Sequence, residues 1–241
     1  MSSSDQPHDF ATTRWSLIAA VGESSSAESR DALAFLCETY WYPLYVYVRR
    51  KGHQPAEAQD LTQSFFAELL EKERFQLADQ ERGRFRSFLL ASLNNFMANQ
   101  WRRAKAQKRG GSSNLLSIDV DAGETRYRHE PFHELTAERI FERRWAMTLL
   151  EQTVSRLSDE YARSDKADLF AALKGHLGQG ATTPYREVAE QLGMSETAVK
   201  VAAHRLRKRC GQILRDEVSQ TVSDPAAVDA ELQQLFAAVE P

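Results

Sequence analysis

The sequence predicts an all-α protein of two helical domains joined by a flexible linker, with a helix-turn-helix in the second domain. Apolar residues recur every three or four positions through most of the 241-residue chain, whereas the alternation typical of strands is scarce. Near Gly110 this pattern gives way to a Gly-, Ser- and acid-containing stretch that is long enough to separate two domains.

Five segments follow one another along the chain. They are an N-terminal arm (1–27), a first helical domain (28–109), an acidic linker (110–140), a second helical domain (141–215) and an acidic tail (216–241). The arm is polar where a signal peptide needs an apolar run, and no stretch approaches the roughly 18 apolar residues of a membrane span. We therefore expect a cytoplasmic protein without a membrane partner.

Three helices are expected in the first domain. An apolar stripe over 33–48 predicts the first helix, which ends near Gly52. Pro55 suits the first turn of the second helix. The third helix runs over about 85–103 and combines apolar, Asn and Arg residues.

A helix-turn-helix is predicted over 185–209. Gly193 can adopt the left-handed conformation of a tight turn, and Ser195 is placed to cap the second helix. That helix has one apolar and one cationic face, a form that fits the major groove. The residues expected to contact duplex DNA are Thr197, Lys200, Val201, His204, Arg205, Arg207 and Lys208.

Charge is strongly partitioned, although the formal net charge is only −3. Residues 82–109 contain eight Lys and Arg and no acid, and residues 200–215 contain six and no acid. The tail has six acids and no Lys or Arg. Two separate basic patches predict two contacts with nucleic acid.

Catalytic and metal-binding patterns do not compete with this interpretation. The chain has no Gly-Lys-Ser phosphate loop, and 119–123 lacks the later ligands of a calcium loop. His129 and His133 have helical spacing, but Pro131 between them opposes a helix. We predict a protein that is not an enzyme and has no cofactor or metal.

The order of parts resembles the bacterial sigma-70 family of RNA polymerase initiation factors, most closely its short extracytoplasmic-function (ECF) group. Asp60-Leu-Thr-Gln63 followed by Phe65-Phe66 is similar to the polymerase-binding helix of that family. Phe85-Arg-Ser-Phe-Leu89 with Asn95 resembles its promoter-melting helix. Val199-Lys200 and His204-Arg205 with Arg207 resemble its reader of the upstream, minus-thirty-five element.

The resemblance implies a sigma factor that binds core RNA polymerase, recognises promoter DNA and promotes strand opening. The first domain is then sigma domain two and the second is sigma domain four. Asn, Gln and Trp suit capture of unpaired bases, while Arg supplies phosphate affinity. The residues expected at the minus-ten element and in melting are Arg84, Arg86, Asn94, Asn95, Asn99, Gln100, Trp101, Arg102 and Arg103.

The polymerase-binding helix carries fewer acids than the family pattern. Its candidate contact residues are Glu57, Gln59, Asp60, Thr62, Gln63 and Ser64. Phosphorylation of Thr62 restores negative charge in one interpretation, and in the other Thr62 is an ordinary helix-face residue. Segments 11–17 and 36–44 resemble a subgroup associated with serine/threonine protein kinases, which makes such a kinase a candidate partner. The sequence indicates no particular anti-sigma factor.

Three alternatives remain open from the sequence. A stand-alone helix-turn-helix regulator with a helical sensing domain binds duplex DNA without polymerase, and an RNA-binding adaptor prefers structured RNA. The tail either masks the basic reader helix electrostatically or forms a packed amphipathic helix.

Overall fold

The protein is described by a computed structural model over residues 27–71, 84–106, 124, 127, 135–178, 183–222 and 224–240. The described residues form helices and no named strand, so the predicted all-α class is confirmed. The N-terminal arm and most of the predicted linker lie outside the described residues. No described helix combines the length and apolar character needed to cross a bilayer.

Eight α-helices are present in the described part of the chain. They are α1 (Ala27–Arg50), α2 (Pro55–Glu71), α3 (Phe85–Ala106), α4 (Ala137–Arg163), α5 (Ala167–Leu173), α6 (Tyr185–Leu192), α7 (Glu196–Ser219) and α8 (Val228–Val239). Short 3-10 turns follow α5 at Lys174–His176 and precede α8 at Pro225–Ala227.

The chain divides into two compact units. Unit 1 takes the described residues up to Trp145 and those from Ser219 onward, and unit 2 is Ala146–Val218. Unit 1 therefore contains α1–α3, the start of α4 and α8. The domain boundaries drawn from the sequence stay predictions.

Unit 1 has an aromatic core. Tyr40 of α1 meets the Phe85 ring edge-on with centroids 5.3 Å apart, and Phe65 of α2 meets Phe96 of α3 at 5.8 Å. Each such pair contributes about 0.5–1.5 kcal/mol beyond the burial of its area. These contacts join the three predicted helices, and their buried faces leave one side of α3 open.

From Ser219 onward, the tail is part of unit 1. Val228 and Leu235 of α8 are buried, and Asp224 caps the preceding turn by accepting from the Ala226 N–H at 2.8 Å. The Phe85 N–H donates to the Thr221 carbonyl at 3.3 Å. Of the two alternatives for the tail, the structure shows the packed helix.

Unit 2 has its own apolar core and holds the helix-turn-helix. The buried members of that core are Leu157, Phe170, Leu173, Val188, Ala189, Val199, Ala203, Leu206 and Ile213. Gly193 ends α6 in the left-handed conformation at φ 63°. The Ala198 N–H donates to the Ser195 hydroxyl at 3.2 Å, which is an N-cap on α7. The predicted roles of Gly193 and Ser195 are thus confirmed.

Candidate nucleic-acid and polymerase interface

The cationic face of α7 is open to solvent. Val199, Ala203 and Leu206 are buried on one side of this helix. All seven residues predicted to contact duplex DNA are exposed on the other, namely Thr197, Lys200, Val201, His204, Arg205, Arg207 and Lys208. Val201 is the apolar member at 44% exposure, which suits contact with a thymine methyl group.

Two cations of α7 also have partners within unit 2. Arg207 donates to the His176 carbonyl at 3.3 Å and to the Tyr185 hydroxyl at 3.2 Å. The His176 ring in turn stacks on Tyr185 with centroids 4.7 Å apart. Lys200 is 2.6 Å from Glu196 in an exposed pair, one turn earlier on the same helix. Arg207 therefore joins α7 to the segment before α6 and to Tyr185, the first residue of α6, while its side chain stays exposed.

The same unit contains an open groove of about 640 Å³ beside the predicted reader residues. Its walls include Tyr161, Leu169, Met194 and Val201. Arg205, also on the wall, lies close enough to Tyr161 to favour ionisation of that phenol, but burial outweighs this and raises the pKa of Tyr161. Sequence periodicity alone did not indicate this groove, because it is formed by three chain segments.

The exposed face of α3 carries small and polar residues. Ser87, Ala91, Asn94, Asn95 and Ala98 follow one another on it at helical spacing. Trp101 continues the face and is 65% exposed, and Arg102 beside it is exposed as well. An indole near amide side chains and a cation is the chemistry that captures unpaired bases.

Other predicted melting residues are less available. Asn99 and Gln100 are half-buried, and the side chain of Arg103 lies outside the described residues. Asn94 is exposed, but its amide oxygen accepts from the buried Tyr47 hydroxyl at 2.9 Å. Asn95, Trp101 and Arg102 are the best placed of the set.

Arg86 does not lie where a DNA contact requires it. The side chain is buried at 3% exposure, and its guanidinium lies over the Trp145 ring at 4.6 Å. It donates to Glu231 at 2.7 Å and to Glu142 at 2.9 Å. The expectation that Arg86 contacts the DNA backbone is wrong for this conformation, because the charge is already paired inside unit 1.

The acids around Arg86 keep it charged. Burial opposes the charge, but the hydrogen bonds and charge of Glu231, and then those of Glu142, outweigh burial and raise the pKa of Arg86 above its ordinary value. Arg84 is partly exposed and is 2.6 Å from Glu231. Arg84 therefore contributes an ion pair to the fold while part of its side chain stays at the surface.

The candidate polymerase-binding residues of α2, apart from Thr62, lie on its exposed or half-buried side. Glu57 and Asp60 are exposed, and Gln59, Gln63 and Ser64 are half-buried. The exposed side thus holds two carboxylates and several amide or hydroxyl groups, which suits a basic partner surface.

Thr62 lies on the opposite, buried side of α2. Its side chain is 0% exposed, and its hydroxyl donates to the Ala58 carbonyl at 2.7 Å. Ala58, Phe65, Phe66 and Leu69 are buried at helical spacing with it. The expectation of a surface threonine is wrong, and this apolar spacing in the sequence was the signal for burial.

Metal-ligating side chains do not cluster among the described residues: none of their His, Cys, Asp and Glu groups reaches three members around one point. The segment 119–123 and the pair His129 and His133, which were weighed above as metal sites, lie outside the described residues. Cys37 and Cys210 are free thiols, and burial raises the pKa of both.

Comparison with known families decides the identity. A family model described as ECF sigma factor matches residues 31–216, about three quarters of the chain. The chain belongs to the ECF sigma factor family. No curated protein and no solved structure matches it.

Membership of the ECF sigma factors gives the protein a role in transcription initiation, with core RNA polymerase and promoter DNA as its partners. The matched range spans α2, α3, α6 and most of α7, the elements with the exposed faces described above. The match stops before α8. Glu231 and Gln234, which hold Arg84 and Arg86, lie outside the matched range, and local sequence spacing did not identify them.

Proposed function

We propose that this ECF sigma factor divides promoter recognition between its two units. In unit 2, α7 reads the upstream element through its exposed cationic face. In unit 1, α3 captures the melted minus-ten strand, while the exposed face of α2 binds core polymerase. The observation that carries the proposal is the exposure of Asn95 and Trp101 on one face of α3, because amide and indole groups at a surface suit the binding of single-stranded bases.

Transcription in vitro tests the proposal. The purified protein is mixed with core polymerase on genomic DNA, and the transcript starts are sequenced to define a promoter. We expect co-migration with core polymerase and new starts that depend on the protein. Specific duplex binding by the protein alone, with no effect on starts, would instead support a stand-alone regulator.

Substitutions separate the two proposed DNA contacts. Lys200→Ala and Arg205→Ala are each expected to weaken upstream-element use by about 1–3 kcal/mol, or roughly five- to 150-fold, since base-edge contacts have that size. Asn95→Ala with Asn99→Ala is expected to impair strand opening after binding. Permanganate footprinting on duplex and pre-melted templates distinguishes these steps. Rescue of the α7 variants, but not the Asn pair, by pre-melting would reverse the assignment.

We also propose that phosphorylation of Thr62 regulates polymerase binding. A phosphate adds about −1.5 to −2 charge, which a fully buried site on α2 does not accommodate. The modified state must therefore differ from the described packing of α2, so the modification acts by moving this helix face as well as by adding charge. The resemblance of 36–44 to kinase-associated sigma factors supports a serine/threonine kinase as the source.

Core-polymerase affinity of kinase-treated and untreated protein tests the switch. We expect phosphorylation to raise affinity about ten- to a thousandfold, the range of an interfacial charged pair. Thr62→Val keeps the side-chain shape without a hydroxyl and serves as the control. Equal affinity with and without confirmed phosphate on Thr62 would leave it as a packing residue.

A further inference from the structure

A polar cluster joins the start of α3 to α4 and α8 within unit 1. It consists of Arg84, Arg86, Glu142, Glu231 and Gln234, and we call it the arginine cluster. Glu231 accepts from Arg86 through both carboxylate oxygens, at 2.7 and 3.1 Å, and its Oε2 is 2.6 Å from Arg84. Gln234 accepts from both arginines. Two residues of α8 thus hold two residues at the start of α3.

Burial makes Glu231 dependent on its partners. The residue is 1% exposed, so its carboxylate has exchanged water for the two guanidinium groups. A buried charge that loses its partner is costly, whereas a paired and hydrogen-bonded one is tolerated. Glu142 and the Trp145 ring occupy the remaining sides of Arg86. Arg86 and Glu231 are therefore a buried and paired core of the arginine cluster, while Arg84, Glu142 and Gln234 reach the surface.

The cluster fixes the first turn of α3 and its surroundings. Phe85 lies between the two arginines in sequence, and its N–H donates to the Thr221 carbonyl just before the tail. Arg84 also pairs with Val222 in an isolated antiparallel bridge. Further along the same helix, Asn95 and Trp101 are exposed. Asn95 and Trp101 belong to the same unbroken helix as the first turn, so a shift of that turn is expected to move them.

We propose that α8 is a working part of the promoter-opening unit and that Glu231 is a positioning residue for α3. The inference rests on the proposed role of α3 in strand capture. It assigns a function to a segment that lies beyond the residues matched by the ECF family. Glu231 acts through Arg84 and Arg86, not by touching DNA.

The test compares Glu231→Gln with Glu240→Gln. Both substitutions remove one carboxylate from the tail with little change of volume, but Glu240 is exposed at the end of α8. Holoenzyme made with each variant is assayed by permanganate footprinting on a duplex promoter and on the same promoter pre-melted. We expect Glu231→Gln to open the duplex about tenfold less than wild type, since one buried charge-assisted contact has about that weight. On the pre-melted template we expect near-normal activity, and core-polymerase affinity is expected to be unchanged.

A conservative variant adds a second measurement. Glu231→Asp keeps the charge while shortening the reach to the arginines, so it is expected to recover part of the opening lost in Glu231→Gln. Deletion of the chain from Asp224 onward removes α8 entirely and is expected to lower both duplex opening and thermal stability. Glu231→Asp keeps the carboxylate charge but loses packing volume. Recovery of duplex opening in this variant would therefore be an effect of the charge and not of the packing volume.

Four results would overturn the inference. Duplex opening by Glu231→Gln equal to that by Glu240→Gln removes the positioning role. Equal loss on duplex and pre-melted templates reduces Glu231 to a stability residue. Tighter DNA binding with a steeper salt dependence makes α8 a removable cover over two phosphate-binding arginines. Failure of the wild-type holoenzyme to open the promoter would overturn the proposed function itself. The other three results would overturn only the inference about α8 and leave the proposed function intact.

Discussion

At the scale of single residues, Arg209 and Glu160 form a two-point ion pair between α7 and α4 in unit 2. Arg209 donates from Nε to Oε2 at 2.8 Å and from Nη2 to Oε1 at 2.7 Å. The hydrogen bonds from Arg209, against a smaller effect of burial, lower the pKa of Glu160 below its ordinary value. The pair therefore ties α7 to α4 while Glu160 is ionised.

This pair predicts an acid-sensitive contribution to stability. Because the folded-state pKa of Glu160 is depressed, its contribution is present above the unfolded pKa of about 4.5 and is lost as the pH falls through the folded value. Glu160→Gln should lower the free energy of unfolding at pH 7 by about 0.5 kcal/mol, a modest amount because the pair is partly exposed. Urea unfolding of the variant and the wild type at pH 7, 5 and 3.5 measures whether the difference in their free energies of unfolding becomes smaller in acid.

The matched control is Glu190→Gln. Glu190 pairs with Arg186 at 3.2 Å, but both side chains are largely exposed, so we expect almost no loss of stability at any pH. A Glu160→Gln deficit that stays constant down to pH 3.5 would contradict the assignment of the effect to the ion pair.

Arg86 shows why some site residues escape sequence reasoning. It lies in a run of eight cations without an acid, so local charge indicates nucleic acid. Its partners Glu142 and Glu231 are 56 and 145 positions away in the chain. Only the fold brings them together. By contrast, the exposure of Arg205 on α7 followed from local periodicity and was predictable.

At the scale of elements, the turn between α6 and α7 sets the geometry of the helix-turn-helix. Gly193 at φ 63° ends α6, and the Met194 N–H donates back to the Ala189 carbonyl at 3.0 Å. This is a left-handed glycine C-cap, followed at once by the Ser195 N-cap of α7. The backbone conformation at one residue thus determines where α7 begins.

Two glycine substitutions in unit 2 should have opposite effects. Nothing lies within 4 Å of a Cβ atom built at Gly193 or at Gly211, so neither change causes a clash. Gly193→Ala is expected to destabilise by about 1 kcal/mol, because an L-residue is strained at this φ. Gly211→Ala lies inside α7 and is expected to stabilise by up to about 1 kcal/mol through helix propensity. Denaturation of both variants measures the signs, and two changes of the same sign would contradict this account.

Helix positions were predictable where the signals are local. Pro55 marks the start of α2, and Gly193 marks the end of α6, as expected. The start of α4 was expected near Phe141, but the helix begins at Ala137, where Thr136 accepts from the Arg139 N–H at 3.3 Å. Thr136 is therefore the local cap residue that marks this helix start. The packing partner of α8 was not predictable, because amphipathic spacing indicates an apolar face and not what covers it.

At the scale of the whole molecule, unit 1 is built from two stretches of the chain, one before unit 2 in the sequence and one after it. Residues before Ala146 and after Val218 belong to unit 1. The sequence predicted two domains in simple succession, because linker composition is read along the chain and does not show which segments return. Tyr47 illustrates the consequence. Its ring centroid is 6.4 Å from that of Phe141, a residue that follows the predicted end of the first domain in the sequence.

The two candidate divisions of the chain predict different behaviour of fragments. Fragment 146–218 contains the whole described core of unit 2 and is expected to unfold cooperatively by itself. Fragment 28–109, the predicted first domain, lacks Phe141, Trp145 and Glu231, so it exposes the buried side of Tyr47 and leaves Arg86 without its partners. We expect it to show no sharp unfolding transition.

A chain in which 28–145 is joined to 219–241 by a long Gly/Ser linker restores these partners at a small entropic cost, which grows only slowly with linker length. Thermal unfolding followed by circular dichroism compares the three. Cooperative unfolding of 28–109 with the same midpoint as the joined chain would show that α8 and the start of α4 are dispensable to unit 1, and would favour two domains in succession.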